Sequence, residues 1–512
     1  MLRKFTFSVL TVLLAGLWSC ESLDNAPQLT PDGQQVISKG TDLQEALRRG
    51  YATWWGSVHS PEPAVALGVT ADAYALPWDD FGAAAMGQEP RLSYRNLNSE
   101  PLDYRAIVEV PWYGCLQAVA DANDVLNALS QGVSIDQNGP QDQSVRAAAY
   151  ALRGLSWGYL SLWFDQAPVV DENTKLGGTI EFMPYTTVNA RAVEELEAAI
   201  QLAEANGIDF IHNYFNGLPL DGSTFAELAH SYAARFLAQA ARTLDENETT
   251  NWQAVLQHAE QGLTFDFAPI ANGNQWTSYQ QYTLANTEAG PFWARLDQRL
   301  VAAFDSNQPA RYPQVEANGE APLSETQATS GDARLTSDFV YSPVVGFPAD
   351  RGEWHFSHYQ HKRQLIQPDL FGDGLAGPMP TFLKADNELL QAEALLRTSQ
   401  TAAAANVIDG GSRTSRGNLP PLTAAAPYFE VEEALLYERA IELFNTAPAS
   451  LWLDRRRMRP REASTEVTAL GGLQLGTPAQ LPVPASELRI NGMEEYSFGG
   501  EQDPQGIERF FY

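Results

Sequence analysis

Three histidines lie close together in the segment HFSHYQH, as His355, His358 and His361. Histidine is a common zinc ligand, so a short cluster of this kind could bind a metal. On a helix, residues three and six positions apart drift around the axis, and in a strand the middle histidine points away from the other two. We therefore expect no metal site here and no cofactor. The segment DLFGDG at 369–374 lacks the alternating acidic ligands of a calcium-binding loop, and a structural calcium elsewhere stays open.

Paired carboxylates are the second group that could do chemistry, because two of them can hydrolyse a glycosidic bond. The chain has 63 Asp and Glu residues, so chance pairs are unavoidable and single out no catalytic site. The sequence contains no His-Glu-x-x-His helix, no Gly-x-Ser-x-Gly turn and no phosphate-binding glycine loop. These observations favour a binding protein over an enzyme, with a secreted glycoside hydrolase as the weaker alternative.

Aromatic residues with polar neighbours are the third group. The C–H face of a sugar stacks on an indole ring, and its hydroxyls need Asp, Asn or Arg; a peptide would use the same rings differently. Such combinations occur in LPWDDFG, in LSYRNLN and between residues 265 and 380. The candidate ligand-binding residues are Trp78, Asp79, Asp80, Phe81, Tyr94, Arg95, Trp276, Tyr279, Trp293 and Trp354. For each ring the competing interpretation is a buried anchor of a loop, because tryptophan is usually well buried.

Apolar residues at helical spacing occur on both sides of that aromatic region. In SVRAAAYALRGLSWGYLSLWF, Val145, Leu152 and Tyr159 belong to one such stripe. Thr41 and Gln44 match a capping box at the start of an earlier helix. The pattern predicts a mostly α fold of paired amphipathic helices, a helical-repeat scaffold without a full tetratricopeptide consensus at a fixed period. Further stripes occur at 193–203, 225–236, 382–396 and 434–444.

The segment 265–380 is rich in Gly, Pro and aromatic residues and lacks sustained helical spacing. A structureless loop of that length is uncommon inside a compact domain, and long loops are often functional. We therefore expect a loop-rich insertion lobe that carries the ligand site.

The N-terminus contains the basic residues Arg3 and Lys4. An apolar core follows from Phe5 to Trp18, and Cys20 lies two positions after it. This core is shorter than the roughly 20 residues that span a bilayer as a helix. The basic start and short core are typical of a secretory signal. The stretch Leu17-Trp18-Ser19-Cys20 is similar to a bacterial lipoprotein signal, in which the cysteine becomes the lipidated N-terminus. An ordinary cleaved signal is the alternative.

Composition excludes several classes of partner. The formal net charge is −30, and such a field repels phosphate backbones, so nucleic acid is a poor partner. The only cysteines are Cys20 and Cys115. With Cys20 lipidated, no disulfide can form within the chain, and Cys115 is expected to be a small buried residue.

The order of several segments resembles that of the SusD/RagB family of outer-membrane nutrient-binding lipoproteins. The closing segment LPVPASEL resembles the family's Pro-Ile-Pro-x-x-Glu, and the pair YERAIELF…LWLDRRRM resembles its Glu-Arg-x-x-Glu helix and the Trp-x-Asp-x-x-Arg turn. Leu451 and Lys384 depart from the usual residues. The remaining segments are WYGCLQAVADANDVLNAL (112–129), RAAAYALRGLSWGYLSLWFDQAPVV (146–170) and FLKADNELLQAEALLR (382–397).

The resemblance implies a scaffold of tetratricopeptide-like helix pairs and a TonB-dependent outer-membrane transporter as partner. It implies a lipid-anchored protein on the outer membrane that captures an oligosaccharide, with an oligopeptide as the alternative ligand. The motif residues Glu438, Arg439 and Asp454 are then structural. The expected organisation is a signal peptide at 1–19, a tether at 20–40, a helical region at 41–264, the insertion at 265–380 and a helical region with a wrapping tail at 381–512.

Overall fold

The computed structural model describes most of the chain from residue 37 onwards. Cys20 and the signal segment lie outside the described residues, as do Trp78, Asp79 and Trp293. The described residues are 37–76, 80–174, 181–205, 209–210, 214–272, 275–283, 294–312, 326–342, 353–363, 377–423, 425–499 and 510–511.

Long helices form the frame of the fold, and the mostly α architecture predicted from the sequence is confirmed. Helices that follow one another along the chain pack side by side, notably α4 on α5, α5 on α6, α6 on α7 and α13 on α14. The helices are α1 Gly40–Val58, α2 Pro61–Thr70, α3 Ala83–Met86, α4 Leu102–Ser130, α5 Pro140–Trp163, α6 Tyr185–Ala203, α7 Gly222–Gln239, α8 Leu244–Thr249, α9 Trp252–Ala259, α10 Gln280–Thr283, α11 Gln298–Phe304, α12 Arg334–Ser337, α13 Lys384–Arg397, α14 Thr401–Gly410, α15 Ser412–Ser415, α16 Tyr428–Ile441, α17 Ser450–Met458 and α18 Ala485–Ile490.

The strands are short and pair antiparallel in twos. The pairs are β1 with β7, β2 with β3, β4 with β5, β6 with β10, β8 with β9 and β11 with β12. Their bounds are β1 Tyr74–Ala75, β2 Gln166–Pro168, β3 Phe182–Pro184, β4 Asp209–Phe210, β5 Leu220–Asp221, β6 Ile270–Ala271, β7 Arg295–Leu296, β8 Phe339–Tyr341, β9 Tyr359–His361, β10 Gly377–Pro378, β11 Tyr496–Ser497 and β12 Phe510–Phe511.

Helix α5 is the most deeply buried of the long helices. It begins at Pro140, whose fixed φ suits the first turn, and its apolar stripe is fully covered. Two glycines let neighbouring helices approach it closely. A Cβ on Gly158 would lie 2.0 Å from the Phe236 ring of α7, and a Cβ on Gly154 would lie 2.9 Å from the Ala192 carbonyl oxygen of α6. These glycines therefore set the spacing between α5, α6 and α7.

The first helix begins differently from the sequence-based expectation. Helix α1 starts at Gly40, and its N-cap residue is Lys39. Thr41 is therefore already inside the first turn and cannot cap it. Asp42 caps the start of the helix instead, because its carboxylate accepts a hydrogen bond from the Lys39 amide at 2.9 Å. The predicted capping box at Thr41 and Gln44 is wrong by a shift of the helix start.

Between residues 265 and 380 the described chain forms only short elements, the longest being the seven-residue α11. Strand β7 of this segment pairs with β1, and β6 pairs with β10. Apolar side chains from the segment share one buried cluster with α2 and α16; they include Leu300, Phe304, Phe339 and Tyr359. Pairing and packing thus fix this segment to the helical frame.

Helix α17 contributes a buried arginine that binds carbonyl oxygens of two other helices. Arg456 donates to the Leu162 oxygen of α5 at 2.9 Å and to the Gln239 oxygen of α7 at 2.7 Å. It also donates to Ala241 at 3.1 Å and to Ala479 at 2.8 Å. The last carbonyls of a helix have no partner within the helix, so a donor from outside must satisfy them when they are buried.

The neighbouring motif residues form ion pairs that join helices. Arg439 of α16 pairs with Asp454 of α17 at 2.7 Å, and Arg457 pairs with Glu393 of α13 at the same distance. Glu438 accepts from Arg334 at 2.7 Å. The structural role expected for Glu438, Arg439 and Asp454 is confirmed.

We expect Arg456→Lys to destabilise the fold by about 3 kcal/mol or more. A lysine ammonium cannot reach four diverging carbonyls, and each buried acceptor left unsatisfied costs about 1–3 kcal/mol. The free energy of unfolding from urea denaturation, followed by circular dichroism, measures the effect. Arg489→Lys is the control, because the Arg489 side chain is exposed and its one ion pair among the described residues is with Glu495, so its effect should be within about 0.5 kcal/mol. A loss below 1 kcal/mol in Arg456→Lys would contradict the assigned role.

Candidate ligand-binding site

Three of the candidate aromatic residues are buried core side chains. Tyr94, Trp276 and Tyr279 are each at most 5% exposed. Their rings therefore offer no free stacking face, and the alternative interpretation as buried loop anchors describes them. The expectation that they form an exposed platform is corrected, because all three rings lie in the interior of the protein.

Trp276 and Tyr279 attach the 265–380 segment to α1 and to the residue that follows it. The Trp276 ring lies 4.9 Å from the ring of Trp55, and the Tyr279 amide donates to the His59 carbonyl at 2.8 Å. The Trp55 indole N–H in turn donates to the Thr277 carbonyl at 2.5 Å. The Trp276 ring is thus buried against α1, and the Tyr279 ring lies in the apolar cluster that includes α2.

Tyr94 attaches the segment after α3 to α4 and to the C-terminal region. Its ring stacks on Tyr104 at 4.9 Å, and its hydroxyl donates to the Tyr104 carbonyl at 2.9 Å. Its amide donates to the Phe498 carbonyl at 3.1 Å. The adjacent Arg95 is exposed instead, and its guanidinium pairs with Glu100 at 2.8 Å.

Phe81 and Asp80 lie at a strained turn. Both residues are half-buried, and the Phe81 ring packs at the edge of the apolar cluster that includes α2. Phe81 has φ 58°, in the left-handed region. A bulky residue there costs on the order of 1–3 kcal/mol, and such strain is often found at ligand-binding positions. The turn therefore keeps its place among the candidate ligand contacts.

Trp354 lies in the 265–380 segment against the Arg311 side chain, which in turn pairs with Glu89. The Arg311 guanidinium lies over the Trp354 ring at 4.4 Å, and its Nε donates to the Glu89 carboxylate at 2.8 Å. The Tyr312 amide donates to the Trp354 carbonyl at 3.0 Å, which fixes the two segments together. We call Trp354, Arg311 and Glu89 the Trp354 cluster.

The Trp354 cluster combines the groups that sugar recognition needs. The ring is half-buried, and the guanidinium covers one of its faces. The buried indole N–H has no hydrogen-bond acceptor among the described residues. A donor left unmet in this way costs free energy until an oxygen atom accepts from it. An aromatic ring, an indole donor, a guanidinium and a carboxylate thus lie within one small region.

Behind the cluster lies a buried ionic network centred on His355. Its Nε2 lies 2.7 Å from the Glu89 carboxylate, and its Nδ1 lies 2.9 Å from the Asp297 carboxylate. Burial by itself lowers the pKa of His355, but Asp297 and Asp72 outweigh burial and raise the pKa to about 10. His355 is therefore a cation at neutral pH, and it donates from both ring nitrogens.

Asp72, Asp297 and His355 each place a possible ligand atom within 4.8 Å of the others, as a metal site would. Arginines already neutralise these carboxylates. Arg299 pairs with Asp72 at 2.6 Å, and Arg91 pairs with the other oxygen of Asp72. Burial alone would raise the pKa of Asp72, but these cations lower it. The donor set is therefore an ion-pair network, because guanidinium groups occupy the positions around Asp72 that a metal ion would need.

The other two histidines of the HFSHYQH segment lie in separate surroundings. His358 Nδ1 lies 3.1 Å from the Ser342 carbonyl. His361 is buried in β9, where its Nδ1 lies 3.3 Å from the Asn445 side-chain amide, and burial lowers its pKa well below the usual value. The three rings share no ligand position.

Sequence reasoning identified Trp354 but missed its partners Arg311 and Glu89. Arg311 stands in a polar stretch without a motif, and Glu89 is one of many acidic residues. One weak signal was present: both residues adjoin a proline or an aromatic residue in short polar loops. Their contact spans 222 positions of the sequence, so local patterns could not reveal it.

Solved structures with the same architecture cover most of the chain. A SusD homolog from Bacteroides thetaiotaomicron VPI-5482 aligns with a TM-score of 0.62 at 13% identity, covering 89% of this chain and 97% of that chain. A SusD superfamily protein from Parabacteroides distasonis ATCC 8503 aligns with a TM-score of 0.60 at 14% identity, covering 92% and 98%. A SusD-like carbohydrate binding protein from Bacteroides vulgatus ATCC 8482 aligns with a TM-score of 0.57 at 15% identity, covering 82% and 84%.

These likenesses show the fold. The chain has the tetratricopeptide-like helical architecture of SusD superfamily structures, so the resemblance predicted from the sequence is confirmed at the level of the fold. No protein-family model and no curated protein matches the chain. Among the described residues, none of the helices has the length and apolar character that crossing a bilayer requires.

The His355 network predicts a pH dependence of stability. Because the folded pKa is about 10 and the unfolded value is about 6.5, charged His355 stabilises the fold fully below pH 6.5, and this contribution is lost as the pH rises through 10. His355→Gln should therefore cost on the order of 3–5 kcal/mol at pH 6 and much less at pH 10. Denaturant unfolding at intervals between pH 6 and 10 measures the difference.

His361→Gln is the matched control for this prediction. Burial keeps His361 neutral in the fold throughout that pH range, so the cost of its replacement should change by less than about 1 kcal/mol, and only below about pH 7, where the histidine of the unfolded chain takes up a proton. A His355→Gln cost that is equally constant from pH 6 to 10 would show that His355 is not charged in the fold.

Proposed function

We propose that this protein binds oligosaccharides at the surface of a bacterial outer membrane. The observation that carries the proposal is the SusD-like fold, which extends over most of this chain and of its structural neighbours. One of those neighbours is described as a SusD-like carbohydrate binding protein. The absence of local catalytic motifs in the sequence favours binding without turnover.

In this proposal the Trp354 cluster contributes to the ligand site. A sugar ring stacks at the indole, and its hydroxyls pair with the Arg311 guanidinium. The strained turn at Asp80 and Phe81 is the second contact. Trp78, Asp79 and Trp293 remain predicted contacts that lie outside the described residues. A neutral glycan suits the chain, because a net charge of −30 disfavours anionic ligands.

The proposal also includes a lipid anchor and a partner. Cys20, which lies outside the described residues, carries the lipid and holds the protein at the outer membrane, facing the exterior. The protein then delivers its ligand to a TonB-dependent transporter. The lipoprotein-like sequence LWSC and the order of the SusD-like segments support this part of the proposal.

We expect Trp354→Ala to weaken glycan binding roughly 10- to 100-fold, the usual effect of losing one aromatic contact at a binding hot spot. An oligosaccharide array first identifies the bound glycan, and calorimetric titration of that glycan then compares wild type and variant. Oligopeptides on the same array test the alternative ligand class; exclusive binding to peptides would contradict the glycan proposal.

Trp276→Ala is the matched control for Trp354→Ala, because the Trp276 ring is buried against Trp55. Its truncation should cost about 3–5 kcal/mol of stability and leave the affinity of the folded protein unchanged. If Trp354→Ala shows the same pattern, with lower stability and full affinity, Trp354 is an anchor and the site lies elsewhere.

We expect Cys20→Ala to abolish lipid attachment and to release the protein from the outer-membrane fraction or stall it as a precursor. A lipid anchor gains about 0.8 kcal/mol for each buried methylene, so its loss removes most of the membrane affinity. Fatty-acid labelling and membrane fractionation measure this directly. Ser19→Ala is the control and should be labelled like the wild type. Labelling that persists in Cys20→Ala would contradict the anchor.

A further inference from the structure

Two histidines face each other where α6, α7 and α9 meet, far in the sequence from the HFSHYQH segment. His230 lies on α7 and His258 on α9, and their side chains are 9% and 11% exposed. Their Nδ1 atoms lie 2.9 Å apart. Glu197 and Glu204, at the C-terminal half and end of α6, are the nearest carboxylates, and both are well exposed.

Each imidazole has its second nitrogen directed to one of these carboxylates. His230 Nε2 lies 3.9 Å from the Glu204 carboxylate, and His258 Nε2 lies 3.6 Å from the Glu197 carboxylate. The four groups thus follow one another in the order Glu204 carboxylate, His230 ring, His258 ring and Glu197 carboxylate. Both distances are longer than a hydrogen bond, but a small approach of each exposed glutamate would give the contact that metal-ligating histidines usually make, in which the other ring N–H donates to a carboxylate.

Without a cation, the hydrogen bonding of this arrangement is incomplete. The contact between the Nδ1 atoms needs one proton, so one ring carries its proton on Nδ1 and has a bare Nε2. That bare nitrogen then faces a carboxylate, which also has no proton to offer. His230 Nε2 is buried and has no hydrogen-bond partner among the described residues.

We propose that the Nδ1 atoms of His230 and His258 bind a divalent transition-metal ion, with Zn²⁺ as the natural candidate, and that Glu204 and Glu197 orient the two rings. The ion takes the place of the shared proton, and both Nε2 atoms then carry N–H groups that donate to the carboxylates. The two nitrogen ligands of a tetrahedral zinc lie roughly 3.3 Å apart, so the pair needs to open by only a few tenths of an ångström.

The charges around this site also favour a cation. The carboxylates of Glu197 and Glu204 bring two negative charges to the site, which a divalent ion balances. The network at Asp72 differs in this respect, because Arg91 and Arg299 already neutralise its carboxylates. With two protein ligands in the first coordination shell, water completes the coordination of the ion.

Calorimetric titration of the chelator-stripped full-length protein in detergent with ZnCl₂ tests the site. We expect one saturable site in the wild type, an affinity loss of roughly 100-fold or more in His230→Gln and in His258→Gln, and a loss of about 10- to 100-fold in Glu197→Gln. Glu194→Gln is the matched control, because Glu194 lies on the same helix and is exposed, so it should bind zinc like the wild type.

Anomalous diffraction from zinc-soaked wild-type crystals tests the site without a variant. A peak between the two Nδ1 atoms is the expected result. No saturable zinc binding by the wild type, equal binding by wild type and His258→Gln, or anomalous peaks only at surface carboxylates would each overturn the proposal. A melting curve of each variant shows whether its fold is intact, and the crystal result holds even if a variant does not fold.

Discussion

The buried C-terminal end of α5 imposes the strongest constraint on the fold. Its last carbonyls have no partners within the helix, and they are too deep to reach water. Arg242 donates to Ser161 at 2.8 Å and Arg456 donates to Leu162, while backbone amides satisfy the carbonyls on either side. Guanidinium groups suit this position, because they reach several oxygens at once and carry the positive charge that a helix C-terminus favours. The donors come from α17 and from the segment after α7, so the end of α5 also fixes where those segments lie.

This use of arginine explains how a chain of such negative charge holds a polar interior together. Many of its arginines lie inside the protein, where they pair with carboxylates or carbonyls; the largest fully buried side chains include Arg153, Arg235, Arg299, Arg334 and Arg457. Buried cations do not neutralise the acidic side chains at the surface, so the exterior is strongly acidic. A buried arginine that loses its partner leaves an uncompensated charge, which costs several kcal/mol, so each pair restricts the relative positions of the helices that it joins.

The helices and the scaffold motifs could be predicted from the sequence, but the contacts of the aromatic loops could not. Apolar spacing predicted α5 because its stripe is local, and the LWLDRRRM motif predicted a structural role because its residues pair with a nearby helix. The exposure of Trp276 could not be predicted in the same way. Its partner Trp55 lies more than two hundred positions earlier, and a tryptophan beside polar residues has the same local pattern whether it is buried or exposed. The predicted start of α1 was wrong for a smaller reason, because Asp42 and Thr41 are both residue types that can cap a helix.

Glu89 connects the candidate ligand site to the rigid part of the molecule. One of its oxygens accepts from Arg311 of the Trp354 cluster, and the other accepts from His355 in the buried network. Gln474 also donates to it at 2.8 Å, from the C-terminal region. The guanidinium that lies on the Trp354 ring is thus held by a carboxylate that is itself fixed on two further sides. A group ordered before binding loses little entropy when a ligand arrives, so weak individual contacts can yield useful affinity. The network that holds the 265–380 segment therefore also pre-organises the Trp354 cluster.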